Sequence, residues 1–374
     1  MSNKVSLKEI AKLFLKLGII GFGGPAAHIA MMRQEVVIKR AWLTEQHFLD
    51  LIGATSLIPG PNSTELAIHI GHEKGGLKGL LVAGLCFIMP AVLITGVLAY
   101  YYKVYGQQPQ AQAFLYGIKP AIIAIILAAV YPLAKKSIKS TYLALLGFLA
   151  LALAVLQVNE IYIIFGAGLI ALLSSKIAKK QSLSLVPLSI LQIAKTTVVT
   201  ATNWNLFLIF LKIGAVLYGS GYVLFAFLDT ELVSTGIMSR ATLVDAIAIG
   251  QFTPGPVFSS VTFIGYQING LSGAIIATIA IFIPSFLFVA ILNPLVRKMR
   301  TSPAIAIFLD AVNVASIAII VAICYRMGSD SIVDWRTTLI LISSTIATFR
   351  FPKINSAFIV VFGAVAGYLL LNFQ

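Results

Sequence analysis

The sequence is poor in charge, in acidic residues and in cysteine. Only 11% of its 374 residues are charged, whereas 59% are hydrophobic, and the mean hydropathy is +0.96. No soluble domain of this length keeps such a composition in water. Cys86 and Cys324 both lie inside apolar stretches, which excludes a disulfide framework and a cysteine-based metal site. The chain therefore belongs in a lipid bilayer.

Acidic residues are outnumbered by basic ones, 13 against 27. In a soluble protein this balance would suggest a nucleic-acid partner. Here the basic residues fall mostly between apolar stretches, where the positive-inside rule places them, so we expect no nucleic acid. The histidines have no spacing that fits a metal ion, and we expect neither a metal nor a cofactor.

Apolar stretches of about 20 residues, the length that crosses a ~30 Å hydrocarbon core, recur along the chain. In the first part they run at about 10–32, 47–71, 77–101, 112–133, 140–157 and 159–175, and in the second at about 204–228, 241–266, 271–296, 303–326, 337–349 and 354–372. They predict an all-α polytopic membrane protein.

The second set of stretches repeats the first. FLKLGIIGFGG at 14–24 matches FLKIGAVLYGS at 210–220, the segment from Asp50 to Pro61 matches that from Asp245 to Pro256, and GHEKGGLKG at 71–79 matches GYQINGLSG at 265–273. Matches in this order predict an internal repeat. We place the first transmembrane repeat at 1–180, a linker at 181–203 and the second repeat at 204–374.

Loop charges predict that the two repeats are inverted in the membrane. Lys74 and Lys78 of the first repeat correspond to the uncharged turn at 267–272 of the second. Conversely, the basic cluster at 297–300 of the second repeat corresponds to a loop of the first whose one basic residue is Lys103. Because basic short loops stay cytoplasmic, equivalent loops should lie on opposite sides. Inversion requires an odd number of crossings between equivalent points, so we expect the weakly apolar stretch 183–202 to cross. The alternative that glycine and proline breaks make re-entrant hairpins leaves this parity unchanged.

Proline and glycine interrupt the apolar stretches at corresponding places in the two repeats. The breaks are Pro59, Gly60 and Pro61 in the first repeat and Pro254, Gly255 and Pro256 in the second, with a second pair at 21–25 and 218–221. Each half-helix that follows begins with free N–H groups and a positive dipole end, which suit an anion. A plain kink, or close helix packing at the glycines, is the alternative explanation.

Small polar residues and two matching lysines are the candidate anion ligands. The predicted substrate-binding residues are Lys16, Gly23, Gly24, Ser63, Thr64, Lys212, Ser220, Ser259 and Ser260. Lysines at such places also snorkel to an interface, which is the alternative for Lys16 and Lys212.

Carboxylates near the breaks are the candidates for proton handling, because charged groups in a membrane are costly and usually functional. Glu65 follows the first break by one turn and has Ser260 in its place in the second repeat. We predict that Glu65 takes part in proton coupling. Asp50 and Asp245 are interpreted as helix caps.

The segment FLKLGIIGFGGPAAHIAMM at 14–32, the region of Trp42 and the paired PGP segments resemble the chromate transporter family, in its long members with two repeats. The resemblance covers both halves. It implies a multi-pass plasma-membrane protein of bacteria or archaea that exports chromate, with sulfate as the natural competitor. The second half departs from the pattern at 218–221, where it lacks a full GGP.

The expected function is export of a small inorganic oxyanion, with the bilayer as surroundings and a homodimer compatible with the sequence. The alternatives are a passive anion channel or a sulfate-type transporter. An enzyme ranks last, because no nucleophile, base or metal cluster stands at a helical spacing.

Overall fold

In the computed structural model the described residues are 5–178, 201–219, 221–300, 302–351 and 354–372. They contain helices and connecting segments and no strand. The helices of the first half are α1 (Leu7–Ile20), α2 (Gly24–Arg33), α3 (Glu45–Thr55), α4 (Ser63–Tyr105), α5 (Pro109–Ser137), α6 (Thr141–Val155) and α7 (Glu160–Ala178). Those of the second are α8 (Asn203–Val216), α9 (Leu224–Leu228), α10 (Arg240–Phe252), α11 (Ser260–Arg300), α12 (Pro303–Ser331), α13 (Trp335–Arg350) and α14 (Ser356–Asn372). The expected all-α membrane fold is confirmed.

Helices α1 and α2 form a hairpin that turns back at the glycines between them. The Lys16 ammonium lies 2.9 Å from the Glu35 carboxylate, just beyond α2. A continuous helix would separate these residues by about 28 Å, at 1.5 Å per residue. The chain therefore enters, turns at 21–24 and leaves on the side from which it came.

Helix α3 and the first part of α4 form a second hairpin of the same kind. His47, near the start of α3, lies 3.6 Å from Glu73 through their Nε2 and Oε1 atoms. The backbone of α4 reverses at Gly76, and the Val5 N–H donates to the Lys74 carbonyl at 3.0 Å. The chain thus returns to the side where α1 begins, which we call the amino-terminal face. We write α4a for 63–75 and α4b for 77–105.

Small residues allow the reversal at Gly76. A Cβ atom on Gly71 would collide with the carbonyl of Gly79, and a Cβ on Gly79 would collide with the carbonyl of Gly71. The two helix parts are therefore in backbone contact, which only glycine permits.

The second half repeats both hairpins. Lys212 of α8 pairs with Glu231 at 2.5 Å, as Lys16 pairs with Glu35. Helix α11 reverses at Asn269 and Gly270, and the Asn269 amide donates to the Ala201 carbonyl at 2.6 Å. We write α11a for 260–268 and α11b for 271–300. The prediction that 10–32, 47–71, 204–228 and 241–266 are simple crossings is therefore wrong, and the re-entrant alternative is confirmed.

The long helices after the hairpins run antiparallel, which inverts the two halves. Near its start α4b meets α11b, since a Cβ on Gly84 would touch Phe286. Near its end α4b meets the reversal of α11, where the Gln267 amide donates to the Ala99 carbonyl at 2.8 Å. The turn at Gly270 thus lies on the face opposite to the turn at Gly76. By length and composition α4, α5, α11 and α12 can cross a membrane.

Basic residues identify the amino-terminal face as cytoplasmic. The described lysines and arginines toward that face are Lys8, Lys12, Lys16, Arg33, Lys39, Arg40, Lys74, Lys78, Lys135, Lys136, Lys139 and Arg350. Those toward the opposite face are Lys103, Lys119, Lys212, Arg240, Arg326 and Arg336. The positive-inside rule places the richer face in the cytoplasm. The predicted crossing by 183–202 lies outside the described residues.

The outer hairpins interlock the two halves. Helices α6 and α7 of the first half pack on α12 of the second, and α13 and α14 of the second pack on α5 of the first. At one of these contacts Gly117 of α5 lies against the backbone of Gly363 and Gly367 of α14. Because each half covers the central helix of the other, the halves form one body.

Cysteine labelling tests the inversion. In a background with Cys86→Ala and Cys324→Ala, a single cysteine at Lys136 should react with an impermeant maleimide only from the cytoplasm. One at Asp330, which the repeat matches to Lys136, should react only from outside. Labelling of both from one side contradicts the inversion.

Candidate functional site

In each of the four hairpins a short turn connects the two helices, and these four turns meet inside the molecule. We call this region the tip cluster; it comprises 21–24, 59–62, 217–219 and 254–257. The Gly60 N–H donates to the Leu217 carbonyl at 2.8 Å, and the Gly255 N–H donates to the Gly21 carbonyl at 2.7 Å. The repeat matches Gly60 with Gly255 and Gly21 with Leu217. These two hydrogen bonds are therefore symmetric, and each joins one half to the other.

Glycine is required at both PGP breaks. Gly60 has φ +136° and Gly255 has φ +92°, values that residues with a side chain rarely adopt. A Cβ on Gly60 would collide with the Glu65 carboxyl, and one on Gly255 would lie 2.8 Å from the Ala91 Cβ. The prolines beside them supply no N–H, so the glycine amides are the donors that close the tip cluster.

The hydroxyl side chains that follow each break are buried. Ser63 and Thr64 begin α4a, while Ser259 and Ser260 stand where the short turn at 257–259 passes into α11a. All four residues are at most 1% exposed. Among the described residues the Thr64, Ser259 and Ser260 hydroxyls have no hydrogen-bond partner, whereas Ser63 contacts the His28 Nδ1 at 3.3 Å. Unused hydroxyls at two positive helix ends suit an oxyanion.

The glycines of the first hairpin also lie in the tip cluster. Gly23 and Gly24 have φ +102° and +75°, and Gly24 begins α2. A Cβ on Gly24 would stand 3.5 Å from the Tyr222 hydroxyl of the other half. Ser220, the predicted ligand in the matching hairpin, lies outside the described residues.

Lys16 and Lys212 are not brought to the tip cluster. Each forms the ion pair that closes its own hairpin near a membrane face, and about half of each side chain is exposed. The hydrogen bond from Lys16, with those from Lys39 and Arg40, holds the pKa of Glu35 at about 2. Glu35 is thus ionised at physiological pH and offsets the charge of Lys16.

A cavity connects the tip cluster with the cytoplasmic face. Its volume is about 180 Å³, and its residues come from the first PGP break, the end of α5, the break at Gly219 in the second half and the first part of α12. The polar lining residues are Ser56, Asn62, Lys136, Ser137, Lys139, Asp310, Asn313 and Ser316. Lys139 pairs with Asp310 at 2.7 Å. The cavity has room for an oxyanion with water and has cationic residues toward its mouth.

The matching region on the opposite side contains an ion pair between a half-buried lysine and a buried aspartate. Lys119 of α5 lies 3.3 Å from Asp245 of α10, and the Tyr102 hydroxyl of α4b donates to the same carboxylate at 2.7 Å. The repeat matches Lys119 with Asn313, which lines the open cavity. This cluster joins both halves on the side opposite to the cytoplasmic cavity, and Lys119 also lines an outward-facing cavity of about 450 Å³.

Sequence reasoning missed Lys119 and Tyr102 and misread Asp245. The interpretation of Asp50 and Asp245 as helix caps is wrong, because Thr44 caps α3 and Ser239 caps α10. The usable signal was Lys119 itself, a cation within the apolar stretch 112–133 that needs a buried partner. The described residues contain no group of histidine, cysteine and acidic side chains that could hold a metal.

The comparisons with known proteins agree with this architecture. The family model described as "Chromate transporter" matches twice, at residues 8–172 and 204–368. The chain is 32% identical over 375 residues to a probable chromate transport protein of Synechococcus elongatus, covering 97% of this chain and 95% of that one. It is 30% identical to a chromate transport protein of Cupriavidus metallidurans, covering 97% and 92%.

A shorter relative matches only part of the chain. An uncharacterized transporter of Bacillus subtilis is 26% identical over 160 residues, which are 42% of this chain and 90% of that one. No solved structure matches. The exact limits of the two repeats stay a prediction. With its two family matches, its full-length relatives and its apolar helices, the chain belongs to the chromate transporter family as a multi-pass membrane protein.

Proposed function

We propose that the protein exports chromate, or a dianion of the same shape such as sulfate, from the cytoplasm, and that the anion binds in the tip cluster. The observation that carries the proposal is the cytoplasmic cavity that ends between Asn62 and Gly219, at tips of both halves. The names of the full-length relatives favour chromate.

The tip cluster has the chemistry that a tetrahedral oxyanion needs. Helices α4a and α11a begin there, and their free N–H groups and dipoles favour negative charge. The buried hydroxyls of Thr64, Ser259 and Ser260 add donors directed by the fold. Lys136, at the cavity, attracts the anion from the cytoplasm without binding it permanently. Lys16 and Lys212 lie outside this site, each paired with an acid of its own hairpin near a membrane face.

The membrane potential favours export. A dianion that leaves a cell with a negative interior gains roughly 4.6 kcal/mol per 100 mV, twice the value for one charge. Uptake of the same anion has to overcome this free energy. The direction from the cytoplasm to the outside therefore needs no other source of energy.

A carrier fits the architecture better than a channel or an enzyme. The cavity is open on the cytoplasmic side, and we take the pair of Lys119 and Asp245, which joins the two halves, as the closure on the other side. Inverted halves can exchange these two arrangements, so that the outer side opens as the cytoplasmic side closes. A channel would need both sides open at once, and saturable counterflow distinguishes the two.

Loss of one tip hydroxyl should weaken anion binding. A hydrogen bond to a charged group contributes about 1.5–3 kcal/mol, so Ser63→Ala and Ser259→Ala should each raise the Kd for sulfate about tenfold or more. Ser343→Ala is the matched control, because within the described part of the chain its hydroxyl bonds only to the backbone of its own helix α13. Unchanged affinity in both tip variants removes the proposed site.

A further inference from the structure

The Glu65 carboxyl lies on the first PGP break itself. Its Oε1 atom accepts a hydrogen bond from the Ser285 hydroxyl of α11b at 2.5 Å, and the carboxyl fills the place where Gly60 would carry a Cβ. The residue is 0% exposed. Its other oxygen, Oε2, has no hydrogen-bond partner among the described residues. Glu65 thus presents a buried acceptor at the amino-terminal end of α4a.

This acid has no counterpart in the second repeat. The repeat matches Pro90 with Pro284 and so Ala91 with Ser285, and Gly255 lies against Ala91 as Gly60 lies against Ser285. Where the first half has Glu65, the second has the hydroxyl of Ser260. One of the two symmetric helix ends therefore carries a carboxyl and the other does not.

An ionised Glu65 and a bound oxyanion compete for the same positive helix end. Both would lie in a region shielded from water, where like charges a few ångströms apart repel strongly. None of the ion pairs among the described residues involves Glu65, so no cation offsets this repulsion. A proton on Oε2 removes it and converts the acceptor into a donor.

We propose that Glu65 is the proton site of the transporter and that it takes up one proton when the oxyanion binds, so that anion and proton are carried together. The inference rests on the proposed function and adds the coupled ion. Glu65 goes from carboxylate to carboxylic acid as the anion enters from the cytoplasm. It returns the proton when the anion leaves on the other side. A dianion then moves one net negative charge per cycle.

The other titratable side chains near Glu65 lie on helices α2, α3 and α4a. The His28 Nε2–H of α2 donates to the Gly21 carbonyl at 2.8 Å, and its Nδ1 lies 3.3 Å from the Ser63 hydroxyl. His69 lies one turn beyond Glu65 on α4a. From α3 come Asp50, beside Gln46, and His47, beside Glu73. The described part of α11b presents the Ser285 hydroxyl. Glu65 is the acid among these groups that lies on the break.

Proton uptake on binding tests the proposal directly. Sulfate, a dianion throughout this pH range, is added to the purified protein in weak buffer between pH 7 and pH 9 with a pH indicator. The wild type should take up protons as it binds sulfate, and the uptake should approach one proton per sulfate toward pH 9, where the free carboxyl is most ionised. Glu65→Gln should bind sulfate without proton uptake, and Glu9→Gln, which removes an exposed carboxylate of α1, should behave as the wild type.

The affinity for sulfate should follow the same linkage. In the wild type it should tighten about tenfold from pH 9 to pH 7, within the usual range of coupled binding, whereas Glu65→Gln should bind tightly at both pH values. If Glu65→Gln does not fold, Ser285→Ala should still move the midpoint of this pH dependence. Sulfate binding without proton uptake and with constant affinity overturns the inference and leaves the function standing. Absence of sulfate and chromate binding at every pH contradicts the function instead.

Discussion

Replacing Gly60 with alanine should abolish anion transport, although it adds only one methyl group. The left-handed backbone alone costs an alanine roughly 1–2 kcal/mol. The new Cβ must also displace the Glu65 carboxyl and the Ser285 hydroxyl, and overpacking of this kind costs about 1–3 kcal/mol more. Any shift that relieves the clash also breaks the hydrogen bond from Gly60 to Leu217 and opens the tip cluster.

A substitution at a second glycine distinguishes the effect of the steric clash at Gly60 from the effect of its positive φ. Gly236 also has a positive φ, +77°, but a Cβ there has nothing within 4 Å. Gly236→Ala should therefore lower the melting temperature slightly and keep most of the transport rate. Initial rates of sulfate flux in proteoliposomes, at matched amounts of folded protein, measure both variants. Equal rates in the two variants show that the tip geometry does not matter for transport.

Replacing Lys119 with asparagine should open the outer side. The change removes the partner of Asp245 and copies Asn313, the matching residue in the open cavity of the other half. The buried Asp245 carboxylate is then left without its cation, which costs about 3–5 kcal/mol for a buried charge and shifts a two-state equilibrium by more than a hundredfold. The arrangement that is closed to the outside should lose its advantage.

A cysteine at Gln251 reports this opening. The repeat matches Gln251 with Ser56, which lines the cytoplasmic cavity, yet Gln251 is only 6% exposed. An impermeant maleimide should label Gln251→Cys from outside in the Lys119→Asn background and far more slowly in the parent. Lys78→Asn, which removes a lysine near the cytoplasmic turn, should not accelerate labelling. Identical labelling in all backgrounds refutes the outer closure.

Much of the fold is predictable because a small number of general rules, such as those for loop charge and for helix breaks, governs membrane sequences. Basic loops such as 74–78 predicted the inversion, and the paired PGP motifs predicted the broken helices. Hydropathy did not distinguish a crossing from a hairpin, because both bury about 20 apolar residues. Tertiary pairs settle that question, since Lys16 meets Glu35 and His47 meets Glu73 across each hairpin.

The site was less predictable than the fold. The breaks and the hydroxyls of Ser63, Thr64, Ser259 and Ser260 follow from sequence, since helix starts lie next to prolines. The acidic residues that pair with the lysines do not follow from the sequence. Lys16 finds an acid 19 residues away, and Lys119 finds one in the other half, at Asp245. Such pairs depend on how four hairpins converge, which no local pattern records.

Counterflow in proteoliposomes tests the central claim most directly. Vesicles that contain the purified protein are loaded with unlabelled chromate and placed in a trace of labelled chromate, with sulfate, molybdate and phosphate loaded in parallel vesicles. The account predicts transient, saturable accumulation of labelled chromate that depends on internal chromate or sulfate and is lost in Gly60→Ala. Accumulation that does not saturate, that needs no internal anion or that survives in Gly60→Ala would contradict a carrier that binds its anion at the tip cluster.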